Sequence, residues 1–226
     1  MLLTEQAYAV IDLPPASAEM LAEFETLPLD PYAGGKQRYR RFSQYRLTFE
    51  DDDWRLELLP HRPFIQPPSI NSYVGGVRRE FEPLRIDPEP QIVAGARALG
   101  LDTTTDWQIN VHQCRVVAND DVRGVSVPEG PHRDGHEYGM LAVFRRQGID
   151  GGENQLMPTG GGEPFFHVTL EANQALVYDD SKMWHYATDI EPTGPDGGFR
   201  DLWIVAFNQW ENRKYGPEFE ALATGA

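Results

Sequence analysis

Within Pro131-His132-Arg133-Asp134-Gly135-His136, an imidazole and a carboxylate stand two residues apart. In an extended chain, residues i and i+2 point to one face, about 6.6 Å apart at roughly 3.3 Å per residue. On a helix the same pair would point to nearly opposite sides. A neutral imidazole and a carboxylate converging from one strand supply two corners of the two-His-one-carboxylate set that holds non-haem Fe(II) with open positions. The stretch sits where a polar loop, residues 123–130, runs into an apolar segment, residues 138–144.

Six histidines compete for the third corner. His136 shares the parity of His132 and Asp134, but a straight strand places it about 13 Å from His132. Imidazole nitrogens bind a metal at about 2.1 Å, so only a bend at Gly135 would bring both to one ion. His112, in the middle of an apolar run, reads equally as a core histidine or a pocket residue; His61 and His167 lack supporting context. His185 is the better candidate. It follows the apolar run ending at Tyr178 and the polar turn Asp179-Asp180-Ser181-Lys182, an order that lets a second strand face the first. Arg200 then opens the last apolar strand with the parity of Leu202, Ile204 and Ala206. Alone it reads as a rim salt bridge, to Asp201 or to a neighbouring strand, of little energetic consequence. After His132, Asp134 and His185 in this order, its planar fork suits a carboxylate ligand.

The surrounding elements must position these groups. With 226 residues the chain predicts a single domain. Its 21 glycines and 18 prolines favour strands and turns over long helices. A helix is expected over 17–27, capped by Ser17 with Met20, Leu21, Phe24 and Leu27 on one face, and a second over 90–99 stopped by Gly100. The basic, aromatic-interleaved run 36–46 reads as a solvated strand of a hairpin turning at Asp51-Asp52-Asp53, with one arginine, Arg41 or Arg46, free to meet a substrate carboxylate. Short β-rich runs follow at 107–117, 138–144, 165–170, 174–178, 184–190 and 202–207. The pattern predicts helical support over about 15–100 and a β-sandwich or jelly-roll core over about 105–210.

A net charge of −15 argues against nucleic acid or an anionic membrane as partner. Cys114 is the only cysteine, no apolar run is long enough to span a membrane, and the first residues lack the pattern of a secretion signal. A cytoplasmic setting is therefore expected. Nothing in the pattern sets an oligomeric state.

A bare H-x-D triplet arises often by chance. The combination of 128–136, Gly151-Gly152-Glu153-Asn154, Asp179-Asp180 with His185, and Arg200-Asp201-Leu202 is more specific. With Arg38-Tyr39-Arg40-Arg41-Phe42, Asn71 through Gly76, and Val111-His112-Gln113-Cys114-Arg115, it resembles the bacterial Fe(II)/2-oxoglutarate dioxygenases that hydroxylate free amino acids, typified by L-isoleucine 4-hydroxylase. The similarity covers about residues 30–210.

That resemblance implies a mainly β protein with flanking helices, a double-stranded β-helix of the jelly-roll or cupin kind. It makes His132, Asp134 and His185 the iron ligands and Arg200 the partner of the distal 2-oxoglutarate carboxylate. Fe(II), 2-oxoglutarate and O₂ would be required, with ascorbate added in vitro. The reaction would hydroxylate an unactivated C–H of a small amino acid while 2-oxoglutarate goes to succinate and CO₂. Related halogenases lack the carboxylate that Asp134 supplies, so its presence points to hydroxylation. Arg41, Arg115 and Arg145 are the candidates for the substrate carboxylate, and Glu129, Asp150 and Glu153 for its ammonium. The alternatives are the same iron chemistry on a larger natural-product or peptide-like metabolite, and a non-catalytic jelly-roll binding protein.

Overall fold

The computed structural model describes residues 6–71 and 73–225. Twelve strands and three α-helices are present among them. The main sheet has seven antiparallel strands. In spatial order they are β1 (Tyr8–Asp12), β9 (Gln174–Asp179), β5 (Tyr138–Gln147), β12 (Gly198–Gln209), β4 (Trp107–Ala118), β2 (Arg38–Glu50) and β3 (Asp53–Leu58). A smaller sheet joins β10 (Met183–Ala187), β7 (Asn154–Pro158) and β8 (Phe166–Val168), and a ribbon joins β11 (Ile190–Pro192) to β6 (Ile149–Gly151). The architecture is a jelly roll.

Side chains alternate across the strands, so the main sheet has two faces. Its outer face packs Trp203, Val205, Phe207, Ile109 and Leu47 against helix α1 (Ala18–Glu23) through Met20, the adjoining 3₁₀ turn through Phe24, and helix α2 (Glu89–Leu99) through Ile92 and Ala96. Ser17 caps α1 by accepting a bond from the Met20 N–H at 3.1 Å. Gly100 ends α2 in the left-handed region. Toward the other side, Cys114, Val116, Leu176 and Leu202 pack with Leu156 and Met183 of the small sheet and Ile190 of the ribbon.

The register aligns this inner face in rows. Arg38, Val116 and Arg200 lie side by side on β2, β4 and β12; then Arg40, Cys114 and Leu202; then Phe42, His112 and Ile204. The rows set the levels of the cavity described below.

Two expectations are corrected. The run 36–46 is a strand, and the hairpin turns at Asp51 and Asp52, both at positive φ. It is not solvated, because β2 is flanked by β3 and β4 and covered on both faces; Arg40, Arg41, Phe42, Ser43 and Gln44 are all buried. Nor is the first half helical support alone, since β1, β2 and β3 belong to the main sheet. Local pattern does not reveal pairings such as β1 with β9, more than a hundred residues apart. The run 184–190 is split by a break after Ala187, and β6, β7 and helix α3 (Pro217–Thr224) were not expected.

Among the described residues, no helix is long and apolar enough to cross a membrane.

Candidate metal centre and its cavity

His132 and His185 are distant in sequence but adjacent in space. They form an antiparallel bridge, the His132 N–H donating to the His185 carbonyl at 3.1 Å and the His185 N–H to the His132 carbonyl at 2.9 Å. The two rings lie 4.4 Å apart between centroids. Asp134 completes the group: one ligand atom from each of the three residues lies within 4.8 Å of the others. Asp134 Oδ1 is 3.5 Å from His132 Nε2, and Oδ2 is 3.5 Å from His185 Nε2. The triplet is thus not a run of regular strand. His132 is strand-like, and Asp134 begins a tight loop.

That loop is held by Asp180, which the sequence marks only as part of the turn before His185. The buried Asp180 carboxylate accepts the backbone N–H groups of Asp134 at 3.2 Å, Gly135 at 2.9 Å and His136 at 3.0 Å. Gly135 turns the chain at φ +76°, and a Cβ there would press into Ile70 at 2.8 Å, so glycine is required. The turn carries His136 away from the triad. Its ring is buried beside the Asn208 side chain and lines the cavity. The adjacent acids Asp179-Asp180 after an apolar strand were the available signal.

The donor set suits a divalent ion. His132 Nδ1 lies 2.9 Å from the Gly130 carbonyl, which fixes its proton there and presents Nε2 as the ligand atom. His185 Nε2 is buried and makes no hydrogen bond, although Asp134 Oδ2 and Asp180 Oδ1 each lie 3.5 Å from it. Such an atom calls for a ligand. Burial pushes the Asp134 carboxyl up, but the two imidazoles outweigh it and hold the group well below the usual carboxylate range. Burial also works against charge on His132. The hydrogen bond and charge of Asp134, the Glu129 carboxylate and the Gly130 carbonyl outweigh it and raise the imidazole to about 9. A metal entering the site displaces that proton.

The triad opens into a cavity of about 110 Å³, lined in part by Arg38, Arg40, Arg79, Gln66, Glu129 and Tyr178. His112 lines it as well, stacked on Phe42 at 4.5 Å and edge-on to Phe64 at 4.4 Å.

The other expected site residues are distributed by parity. Arg200 is on the inner face and buried, donating from Nη1 to the Gly152 carbonyl at 2.7 Å and from Nη2 to Ser126 Oγ at 3.5 Å, with Nε unpartnered. It does not itself line the cavity; Ser126, which it touches, does. Burial and then the neighbouring Arg146 and Arg38 lower its guanidinium to about 10, so it stays charged at neutral pH. Gly152 has φ +66°, and a Cβ there would sit 2.8 Å from Arg200 Nη1. Arg200 does not pair with Asp201, which points to the opposite face.

Arg41, Arg115 and Arg145 are on the outer face, away from the cavity. Arg41 is held by Glu23 at 2.8 Å and Glu82 at 3.3 Å. Arg115 and Arg145 converge on fully buried Asp201 at 2.6 Å and share Glu25 at 2.6 and 2.8 Å. A bulge in β5 makes this possible: Asp201 aligns with Arg145 but Leu202 with Val143, so Phe144 is the extra residue and Arg145 turns outward. Arg46 pairs with Asp106 and lies over Trp210. Of the acids, Glu129 lines the cavity, 3.8 Å from His132 Nε2. Glu153 instead accepts from Gln155 and neighbours His167, and Asp150 sits on the exposed ribbon, neither in the cavity wall.

The Asp201 cluster is structural. Asp201→Ala is expected to lower the unfolding free energy by about 3 kcal/mol, the lower end for breaking a buried ion pair because Glu25 remains as a partner. Metal affinity should be unchanged, and chemical denaturation alongside metal titration checks both.

A jelly roll carrying two histidines and one carboxylate within 4.8 Å of one another, beside an arginine-lined cavity, is the frame of a metal-dependent enzyme. Residues 21–206 match the 2OG-Fe dioxygenase family, and the chain belongs to it. The family's requirements are Fe(II), 2-oxoglutarate and O₂. Among solved structures, a bsmA homolog from Methylobium petroleophilum PM1 is similar at 27% identity and a TM-score of 0.75, covering 92% of this chain and 90% of that one. IDO from Bacillus thuringiensis shares the fold at 20% identity and a TM-score of 0.68, with 92% of each chain covered. The Fe(II)/α-ketoglutarate-dependent dioxygenase TqaL does so at 15% identity and a TM-score of 0.61, covering 91% of this chain and 84% of that one. None of the curated proteins matches the chain.

Proposed function

We propose that this protein hydroxylates an unactivated C–H of a free L-amino acid, coupled to conversion of 2-oxoglutarate to succinate and CO₂. His132 Nε2, His185 Nε2 and an Asp134 oxygen would hold Fe(II). Bound there, the ion supplies the oxidising chemistry with O₂ and 2-oxoglutarate. The protein's part is to hold the ligands, orient the substrate and keep water out. The observation that carries the reading is the buried, unpartnered His185 Nε2 facing His132 and Asp134 at the wall of an arginine-lined cavity.

A small charged substrate suits this cavity. Its volume of about 110 Å³ is below the roughly 300–1,000 Å³ of pockets for drug-sized ligands. Its wall carries both signs of charge, guanidinium from Arg38, Arg40 and Arg79 and carboxylate from Asp30 and Glu129. A zwitterion needs both. The sequence resemblance to free-amino-acid hydroxylases adds weight.

Arg200 would take the distal carboxylate of 2-oxoglutarate, with Arg38 beside it in the same row: Arg38 Nη2 donates to the Ser126 carbonyl at 2.6 Å while Arg200 reaches the Ser126 hydroxyl. Arg200→Gln is expected to raise the KM for 2-oxoglutarate about 30-fold, equivalent to about 2 kcal/mol for a lost charge-assisted hydrogen bond. Metal affinity should not change.

The deciding assay measures succinate formed with Fe(II), ascorbate and O₂ across the proteinogenic amino acids plus citrulline and ornithine. Mass spectrometry looks for a product heavier by one oxygen atom. Stimulation by one amino acid with that product supports the reading. Turnover of 2-oxoglutarate without any amino-acid product moves the substrate to a larger metabolite. No 2-oxoglutarate consumption under any condition overturns the enzymatic assignment and favours a binding protein.

A further inference from the structure

We infer that the Arg79 guanidinium, steadied by Gln66, is the receptor for the carboxylate of the primary substrate, and that the Gln66 amide links this receptor to the metal ligand Asp134. The inference deepens the proposed reading and rests on the cavity serving a small carboxylate-bearing molecule.

Arg79 is only 5% exposed and lines the cavity. Its backbone is fixed by a two-way bridge to Phe64, at 2.9 and 3.0 Å, and its guanidinium lies 4.4 Å above the Phe64 ring. Nη2 donates to Gln66 Oε1 at 2.8 Å, while Nε is buried without a partner. Among the described residues, no carboxylate lies within ion-pair distance of it. This sets it apart from Arg40, which shares the cavity but faces Asp30 at 3.2 Å, and from Arg41, Arg115 and Arg145, all neutralised by acids. In a chain with 35 acidic and 20 basic residues, an internal counter-ion was easy to supply. Burial lowers the group to about 10, so it carries its charge at neutral pH. A buried guanidinium with an open donor and no counter-ion is costly unless a ligand completes it. Its planar fork suits a carboxylate.

Gln66 is oriented without ambiguity. Its Oε1 accepts from Arg79 and from Asn71 Nδ2 at 3.2 Å, which turns its NH₂ toward Asp134 Oδ1 at 3.4 Å. An anion on Arg79 therefore sits one amide away from the metal ligand, where a substrate C–H must be presented.

This anion position is separate from the one assigned to 2-oxoglutarate. Phe64, beneath Arg79, packs on Phe42 at 5.1 Å and on His112 at 4.4 Å. That row is four residues along β2 from the Arg38–Val116–Arg200 row, about 13 Å at the rise of a strand. The backbone rows behind the two groups are thus distinct. A co-substrate and a substrate, each with a carboxylate, can occupy the two levels together.

The test uses the full chain loaded with Mn(II) and 2-oxoglutarate, so that no turnover occurs. Thermal melting and titration compare each proteinogenic L-amino acid, its N-acetyl derivative and its primary amide. At least one acid is expected to raise the melting temperature while its amide does not. Arg79→Gln should weaken that acid at least 30-fold, with Mn(II) and 2-oxoglutarate affinities within threefold of the parent, which also shows that the variant is folded. Arg79→Lys, keeping the charge but not the fork, should recover part of the loss, and it carries the comparison if Arg79→Gln does not fold. Arg78→Gln, changing the neighbour paired with Glu220 at 2.9 Å, should have no effect. The inference is overturned if acid selectivity survives Arg79→Gln, if 2-oxoglutarate is weakened by the same factor, or if no acid, free or acetylated, stabilises the parent. Arg79-dependent binding confined to N-acetyl acids would uphold the receptor and sink the free-amino-acid reading. Free acids bound independently of Arg79 would do the reverse.

Discussion

Asp134→Ala is expected to abolish turnover and to weaken Mn(II) or Fe(II) binding by well over 100-fold, while leaving the protein folded. Asp134 is the one anionic member of the triad, and both imidazoles face its two oxygens at 3.5 Å. Loss of a partner that merely orients a metal ligand costs about 10–100-fold in affinity, so loss of the charged ligand itself must exceed that. The folded state survives because the loop around Asp134 is held through its backbone N–H by Asp180, which the substitution leaves in place. His132→Ala and His185→Ala should act similarly on binding, since each removes one donor from a set of three. Metal titration followed by calorimetry decides the matter. Parent-like Mn(II) affinity in Asp134→Ala would show that the metal, if bound, sits elsewhere.

Asp180→Ala carries the second large effect, through a residue that holds the loop and lies 3.5 Å from His185 Nε2. Its carboxylate satisfies three consecutive N–H groups, of Asp134, Gly135 and His136. A buried donor left unpaired costs about 1–3 kcal/mol, so removing the acceptor for three should cost about 3–5 kcal/mol of stability even after the loop relaxes. The loop is also what aims Asp134 at His132 and His185, so metal affinity should fall about 10–100-fold in addition. Asp180→Asn keeps one acceptor oxygen and should lie between. Urea denaturation of the ligand-free variants reads the first effect, and Mn(II) titration the second. A variant that lost stability but bound Mn(II) as the parent does would confine Asp180 to holding the fold.

Several of these groups were legible because they carry their own signal. His132, Asp134 and His185 stand out as metal-ligand types in a plausible order, and the structure brings all three together. Helices α1 and α2 follow from capping and periodicity, with Ser17 and Gly100 at the expected ends. The strands around residues 107–118, 138–147, 174–179 and 198–209 follow from β-rich runs bounded by turns.

Which arginines line the cavity was not legible, and the reason is geometrical. Arg40 and Arg41 are neighbours in sequence, and both are buried. Alternation puts one in the cavity and the other against Glu23 and Glu82. A strand that is half exposed shows in its polarity which face is inner, but β2 and β4 are covered on both faces and show no such alternation. Arg145 adds a second obstacle, since the bulge at Phe144 reverses the parity expected of a regular strand. Arg79, Gln66 and Asp180 act through partners 13, 68 and 44–46 residues away, and such pairings leave no local mark.

The residue types and their order thus determined the chemistry this chain can support, because ligand softness, charge and spacing are local properties of side chains. Tertiary structure alone decided which arginine lines the cavity and which meets an acid. That choice depends on the face each strand turns inward, and the face is set by register and bulges between strands far apart in the chain.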